Sequence, residues 1–191
     1  WQAFKSADWA RGEPRRRGAI LRRWADLIER HTEELAQLES LSSSRVIAET
    51  RIRDVAITAE LIRFYGECAD KIDGQVLPTR DDVFSLTMRE PYGVVGAIAP
   101  WNVPMVLATA KVAPALAAGN AVVLEPSELT PFTALRLAEL AIEAGLPAGL
   151  FNVVVGYGPE AGSPLVRHPK VGVVSFTGST ATGKVVRIEA A

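Results

Sequence analysis

The 191-residue sequence has a single cysteine, Cys68, and only two histidines. One thiol excludes an intrachain disulfide framework and fits a reducing compartment, so a cytoplasmic location is expected. Cys68 lies in "FYGECADKI", a helix-like stretch with no convergent base, and reads as a packed small residue rather than a nucleophile. The chain also lacks charge of one sign: the net charge is −1 at pH 7, which gives no pull toward nucleic acid or an anionic membrane. An uninterrupted apolar span is missing too. The longest candidate, 103–124, is broken by Lys111, Pro114, Gly119 and Asn120, whereas a spanning helix needs about 20 mostly apolar residues. A soluble chain is expected. The first residue is Trp1, with no basic-then-apolar leader, which reads as a chain that starts inside a longer product.

What is present is an ordinary globular composition, 48% hydrophobic and 23% charged, enough for a packed core. Over 14–39, Ile20, Trp24, Leu27, Ile28, Leu35 and Leu38 recur at three-and-four spacing and predict one helix with Pro14 in its first turn. Arg15, Arg16, Arg17, Arg22 and Arg23 are expected mostly on its solvated face. His31 sits near the apolar stripe and reads as a packed, hydrogen-bonded histidine. Ser42-Ser43-Ser44 reads as a turn and cap. A second helix is predicted over 47–72 with Gly74 as its breaker. Alternation over 83–89 predicts a half-exposed strand.

Beyond residue 93 the period changes. Apolar runs at 94–99, 121–124, 151–155 and 172–176 alternate with helical stretches at 103–118, 131–144, 160–167 and after Gly178. Gly119 and Gly145 stand where left-handed helix ends are needed, and Thr130-Pro131 offers an N-cap oxygen and a first-turn proline. Strand–helix alternation with short joints implies a Rossmann-like, doubly wound parallel sheet, which binds ligands beyond the carboxyl ends of its strands. The expected division is an N-terminal helical part, 1–80, a strand element, 81–92, and the sheet core, 93–191.

Four strand ends carry candidate chemistry. After the first, Pro100, Trp101 and Asn102 interrupt the handover to a helix. Asn102 is either that helix's cap or an amide able to donate to a developing oxyanion. After the second, Glu125 and Glu128, with Ser127 between them, supply two carboxylates placed for a ribose diol, with a helix-leading acidic loop as the alternative. Either carboxylate disfavours a 2′-phosphate, so NAD is expected over NADP. After the third, Gly156-Tyr157-Gly158-Pro159-Glu160-Ala161-Gly162 is a weak match to a phosphate turn. After the fourth, Gly178, Ser179 and Gly183 open a helix whose free amides suit a pyrophosphate. Gly178 to Lys184 has P-loop spacing, but Val185 replaces the metal-binding hydroxyl.

In this order and spacing, "PYGVVGAIAPWNVP", "KVAPALAAGNAVVLEPSELTP", "AGLPAGLFNVVVG" and "VVSFTGSTATGK" resemble the aldehyde dehydrogenase superfamily over essentially the whole chain. The resemblance implies oxidation of an aldehyde to a carboxylic acid by a cysteine thiolate, with hydride passing to NAD. It implies that Asn102 holds the oxyanion, that Trp101 lies near the cofactor, that Ser127 and Glu128 face the ribose, and that Gly178, Ser179 and Gly183 mark the pyrophosphate turn. It also implies a homo-oligomer that uses the strand at 83–89 between subunits. Three departures stand out: Glu125 replaces the family's usual lysine, Ala181 a common glutamate, and Ser42-Ser43-Ser44-Arg45 the usual Asp-Thr-Gly-Lys type turn. The family's catalytic cysteine and its Glu-Leu-Gly-Gly glutamate lie beyond the last motif, so this chain alone is expected to be inactive. A non-catalytic remnant or partner subunit and an acyl-CoA-forming relative remain the alternatives.

Overall fold

The computed structural model describes residues 1–6 and 8–191, without the side chain of Ser6. Short α1 (Gln2–Ser6) precedes α2 (Pro14–Arg30) and α3 (Thr32–Ser43). The single helix expected over 14–39 is therefore two. His31 breaks it, leaving helical geometry at φ −101° and ψ 23°, while its Nδ1–H donates to Leu27 O at 2.8 Å. The serine run ends α3 as expected, with Ser44 left-handed at φ 57° and the Ser42 and Ser43 hydroxyls bonded back to Leu38 and Glu39 carbonyls. One arginine departs from the expected solvated face. Arg17 is buried, donating to Trp9 O, Gly12 O and Ala117 O, and burial lowers its pKa. It ties the start of α2 to later chain rather than facing water.

The second helical stretch runs as α4 (Ile47–Glu49), a π turn (Thr50–Asp54) and α5 (Val55–Cys68). It ends at Ala69, so Gly74 is not its breaker. Gly74 is needed for space instead, since a Cβ there would sit 2.1 Å from Thr87 O. Next come β1 (Gln75–Leu77) and β2 (Ser85–Thr87), an antiparallel pair with Val76 opposite Leu86. The alternating stretch is thus a strand of three residues, largely exposed on both faces rather than half-buried. Its partner β1 comes from before residue 80, across the expected division.

The parallel sheet follows as β3 (Val94–Ala99), α6 (Pro104–Ala117), β4 (Ala121–Pro126), α7 (Phe132–Glu143), β5 (Phe151–Val153), a π turn (Gly158–Gly162) running into α8 (Ser163–Val166), β6 (Val171–Phe176) and α9 (Thr180–Glu189). Gly119 and Gly145 do take left-handed φ values, 86° and 96°. Thr130 does not cap α7: its hydroxyl is buried without a partner, and Pro131 holds the cap position with no side-chain bond.

Strand order is β5-β4-β3-β6, all parallel. The chain winds outward from β3 through β4 to β5, then crosses back to place β6 on the other side of β3. The core lies on the β3–β4 side, where α2, α5 and α6 bury Leu21, Trp24, Ile28, Ile62, Met105 and Leu124. Trp24 packs at 5.8 Å from Phe151 and donates to Leu137 O at 3.0 Å. No described helix is long and apolar enough to cross a membrane.

Candidate functional site

Winding that reverses between β3 and β6 leaves a gap at their carboxyl ends, since the flanking connections run to opposite sides. A crevice of about 690 Å³ occupies that position. Such a volume falls in the range of small-molecule sites. Pro100 and Trp101 line it from the end of β3, Glu125, Ser127 and Glu128 from β4, Gly158 from the turn after β5, and Gly178 and Ser179 from the end of β6. Eight of the ten residues singled out from the sequence therefore meet in one place.

The other two sit beside it. Asn102 is exposed, does not line the crevice and caps nothing: Val103 holds the N-cap position of α6 without a side-chain bond, and Pro104 begins the helix. That leaves its amide free of the capping duty considered from the sequence. Gly183 lies within α9, where its N–H bonds to Ser179 O at 2.9 Å, and borders an adjoining hollow. A Cβ on Gly183 would come within 3.2 Å of the Phe176 ring, and one on Gly178 within 2.5 Å. Both glycines let α9 settle on Phe176. Ser179 is the N-cap of α9, its Oγ accepting from Thr182 N at 3.1 Å. The amides of the first turn lack intrahelical acceptors and carry the positive end of the helix dipole.

Glu125 is a strand residue rather than part of the loop. It pairs in register with Ile98, and its side chain is 6% exposed. A Cβ at Gly162 would lie 2.9 Å from Glu125 Oε2, so that glycine makes room for the carboxyl. Burial, with the Glu128 charge in second place, pushes Glu125 up to about 7.

Sequence reasoning missed Glu189 and Thr177. Glu189 lines the crevice from α9, accepting from the Ser163 hydroxyl at 2.6 Å and pairing with Arg167 at 3.6 Å. The Lys111 ammonium on α6 donates to the Thr177 hydroxyl, and burial lowers its pKa. The crevice lining thus carries three carboxyls, Glu125, Glu128 and Glu189, and no lysine, arginine or histidine. Cys68 is a half-buried free thiol at the end of α5, outside that lining. No metal-binding group of histidine, cysteine, aspartate and glutamate occurs among the described residues.

Sequence analysis also missed Glu39, which is fully buried on α3. Its Oε1 accepts from Met105 N at 3.0 Å and its Oε2 from the Thr133 hydroxyl at 2.8 Å. Burial raises its pKa, although both hydrogen bonds act the other way. The bond to Met105 satisfies one amide at the start of α6, directly after Pro100, Trp101 and Asn102, where no local side chain does so. Position was the available signal: Glu39 lies four residues after Leu35 and shares its buried face.

Comparison with known proteins bears on the fold and the family. Residues 1–191 match the aldehyde dehydrogenase family. The chain is 49% identical over 181 residues to NADP/NAD-dependent aldehyde dehydrogenase PuuC of Escherichia coli strain K12, covering 95% of this chain and 37% of that protein. It is 50% identical over 189 residues to phenylacetaldehyde dehydrogenase of Pseudomonas fluorescens, covering 96% and 38%. Among solved structures, an NAD+ complex of aldehyde dehydrogenase from Bacillus cereus superposes with a TM-score of 0.96 at 44% identity, covering 98% of this chain and 38% of that one. The chain spans less than two fifths of the length of these relatives. By sequence and by fold, it belongs to the aldehyde dehydrogenase family.

Proposed function

We propose that the crevice is an NAD site and that the chain forms the cofactor-binding portion of an enzyme that oxidises an aldehyde to a carboxylic acid. The observation that carries this reading is the meeting of the β3, β4 and β6 ends at the topological switch point. Within it, Ser127 and Glu128 face the ribose diol, and a carboxylate there accepts from the hydroxyls. Gly178, Ser179 and the first turn of α9 receive the pyrophosphate, with Gly183 supporting that turn from behind. Gly158 leaves the opposite wall open, since a Cβ there would meet nothing within 4 Å. Exposed Trp101 forms the wall nearest the reacting end, and Pro100 holds the chain's exit from β3.

When bound, NAD supplies the hydride acceptor. In this reading Asn102, beside the crevice, donates its amide to the oxygen of the reacting carbonyl as negative charge develops there, a contact worth about 10² to 10³ in rate. The one thiol of this sequence, Cys68, is not at the crevice, so the 191-residue chain binds cofactor without turning over aldehyde. The Glu128 carboxylate disfavours a 2′-phosphate, which favours NAD over NADP, whereas the relative PuuC is named for both cofactors. The exposed apolar residues Val76, Phe84 and Met88 around β1 and β2 support self-association through that pair. A cytoplasmic location belongs to the same reading.

Fluorescence tests the placement. NAD should quench tryptophan emission in the chain, and Trp101→Phe should remove most of that quenching while calorimetric binding survives. Quenching unchanged in Trp101→Phe places the ligand elsewhere. The all-acidic lining favours one rival, a non-catalytic partner subunit, and absence of NAD binding at any pH would support it.

A further inference from the structure

Glu125 is the buried carboxyl that nothing in the fold explains. It is 6% exposed, and among the described residues it makes no hydrogen bond or ion pair. Glu39, fully buried, accepts two hydrogen bonds. The Glu125 oxygens are not among the buried atoms without a partner, so they open onto the crevice and meet solvent there. Glu125 also lines the crevice, so a ligand there can supply what the protein does not.

The charged groups around it sharpen the point. Glu128 acts on it from the same strand end, and Glu189 lines the same crevice from α9. Ser163 and Arg167 are already engaged with Glu189. Lys111 on α6 is engaged with Thr177. Lys184 and Arg187 of α9 border the adjoining hollow, not the crevice. An ionised Glu125 would therefore stand against the Glu128 charge with no cation of its own, beside a dianionic pyrophosphate.

We propose that cofactor binding at this site is proton-linked through Glu125: NAD binds with the Glu125 carboxyl protonated and donating to a ribose hydroxyl, while Glu128 accepts from the diol. The inference rests on the NAD reading of the crevice. A protonated carboxyl donates to a hydroxyl, but only while it keeps its proton. The titration range is suitable, since burial and the Glu128 charge bring Glu125 to about 7. Above that pH, binding one NAD takes one proton from solution onto Glu125. Release returns it.

The test is calorimetric titration of the chain with NAD from pH 6 to 8.5, repeated in buffers of different ionisation enthalpy, with Glu125→Gln and Glu125→Lys alongside. The expected result is a Kd that rises about tenfold or more across this range. Uptake of about one proton should accompany binding at the upper end, and both variants should give flat profiles. Glutamine and lysine donate without titrating here, so either variant suffices if the other folds poorly. If the chain binds NAD with a Kd independent of pH, the linkage fails and the NAD site stands. A slope that persists in Glu125→Gln assigns the proton to another group and also overturns the inference. No binding by the chain or by either variant at any pH overturns the NAD reading, and the linkage with it.

Discussion

One crevice has two unlike walls. The β3–β4 wall rests on residues with no solvent access, such as Leu124, Val122, Ala97 and Met105, with α2 and α5 stacked behind α6. The β6–α9 wall has no fully buried residue: β6 is half-buried along most of its length, and α9 leaves Val185 and Ile188 exposed. The groups proposed for the oxyanion and the ribose therefore stand on rigid ground. Those proposed for the pyrophosphate stand on a thin layer held by Phe176 and a helix cap. Local stability follows buried apolar contact, so the second wall should open at lower free energy than the first.

The largest expected effect breaks the first wall. Trp24→Ala removes a 1%-exposed side chain packed on Phe151 and should lower stability by about 3–5 kcal/mol, while Val185→Ala on α9 should stay within about 0.5 kcal/mol. Urea denaturation of both variants checks the contrast. Glu39→Ala comes next. It leaves Met105 N–H and the Thr133 hydroxyl unpaired in a dry site and should cost about 2–3 kcal/mol by the same measurement, with Glu39→Gln keeping most of it.

The pH dependence of apo stability distinguishes the walls by charge. Glu125 binds its proton more tightly when folded, at about 7 against an ordinary 4.5. Its contribution is therefore greatest at low pH and declines as pH rises from about 4.5 through 7, then levels off. The chain should lose about 1–2 kcal/mol relative to Glu125→Gln over that window, allowing for solvent screening. Paired thermal melts from pH 5 to 8 read that difference.

On the second wall, Ser179→Ala deletes the α9 cap and should cost about 0.5–1 kcal/mol, seen as faster hydrogen exchange at the amides of 180–183. The smallest effect belongs to Asn102→Ala. With no capping bond to lose, its melting temperature should match that of the parent, as expected if its proposed role is chemical.

The same contrast governs what was legible in the sequence. Parallel strands are continuous apolar runs, so β3 to β6 could be read with boundary errors of a residue or two, and their ends marked the crevice. β1 could not be found: Gln75, Val76 and Leu77 are too few and too exposed to carry a period. His31 hid a break because its neighbours keep helical spacing on both sides. Arg17, Glu39 and Glu125 were misplaced or missed for one reason. Charged residues are read as solvated, and each is buried by partners or packing contributed from elsewhere in the chain: Ala117 O for Arg17, Met105 and Thr133 for Glu39, Gly162 for Glu125. Asn102 was left between a cap and an oxyanion donor because capping depends on where α6 begins, a boundary of one or two residues.

The central claim is that the switch-point crevice is a nicotinamide dinucleotide site with the Glu128 carboxylate at the ribose. Calorimetric titration of the chain at pH 6 with NAD and, separately, NADP tests it most directly. One-site saturable binding of NAD, with NADP at least about tenfold weaker, is the predicted result. Equal affinity for the two, or binding of neither, would contradict it.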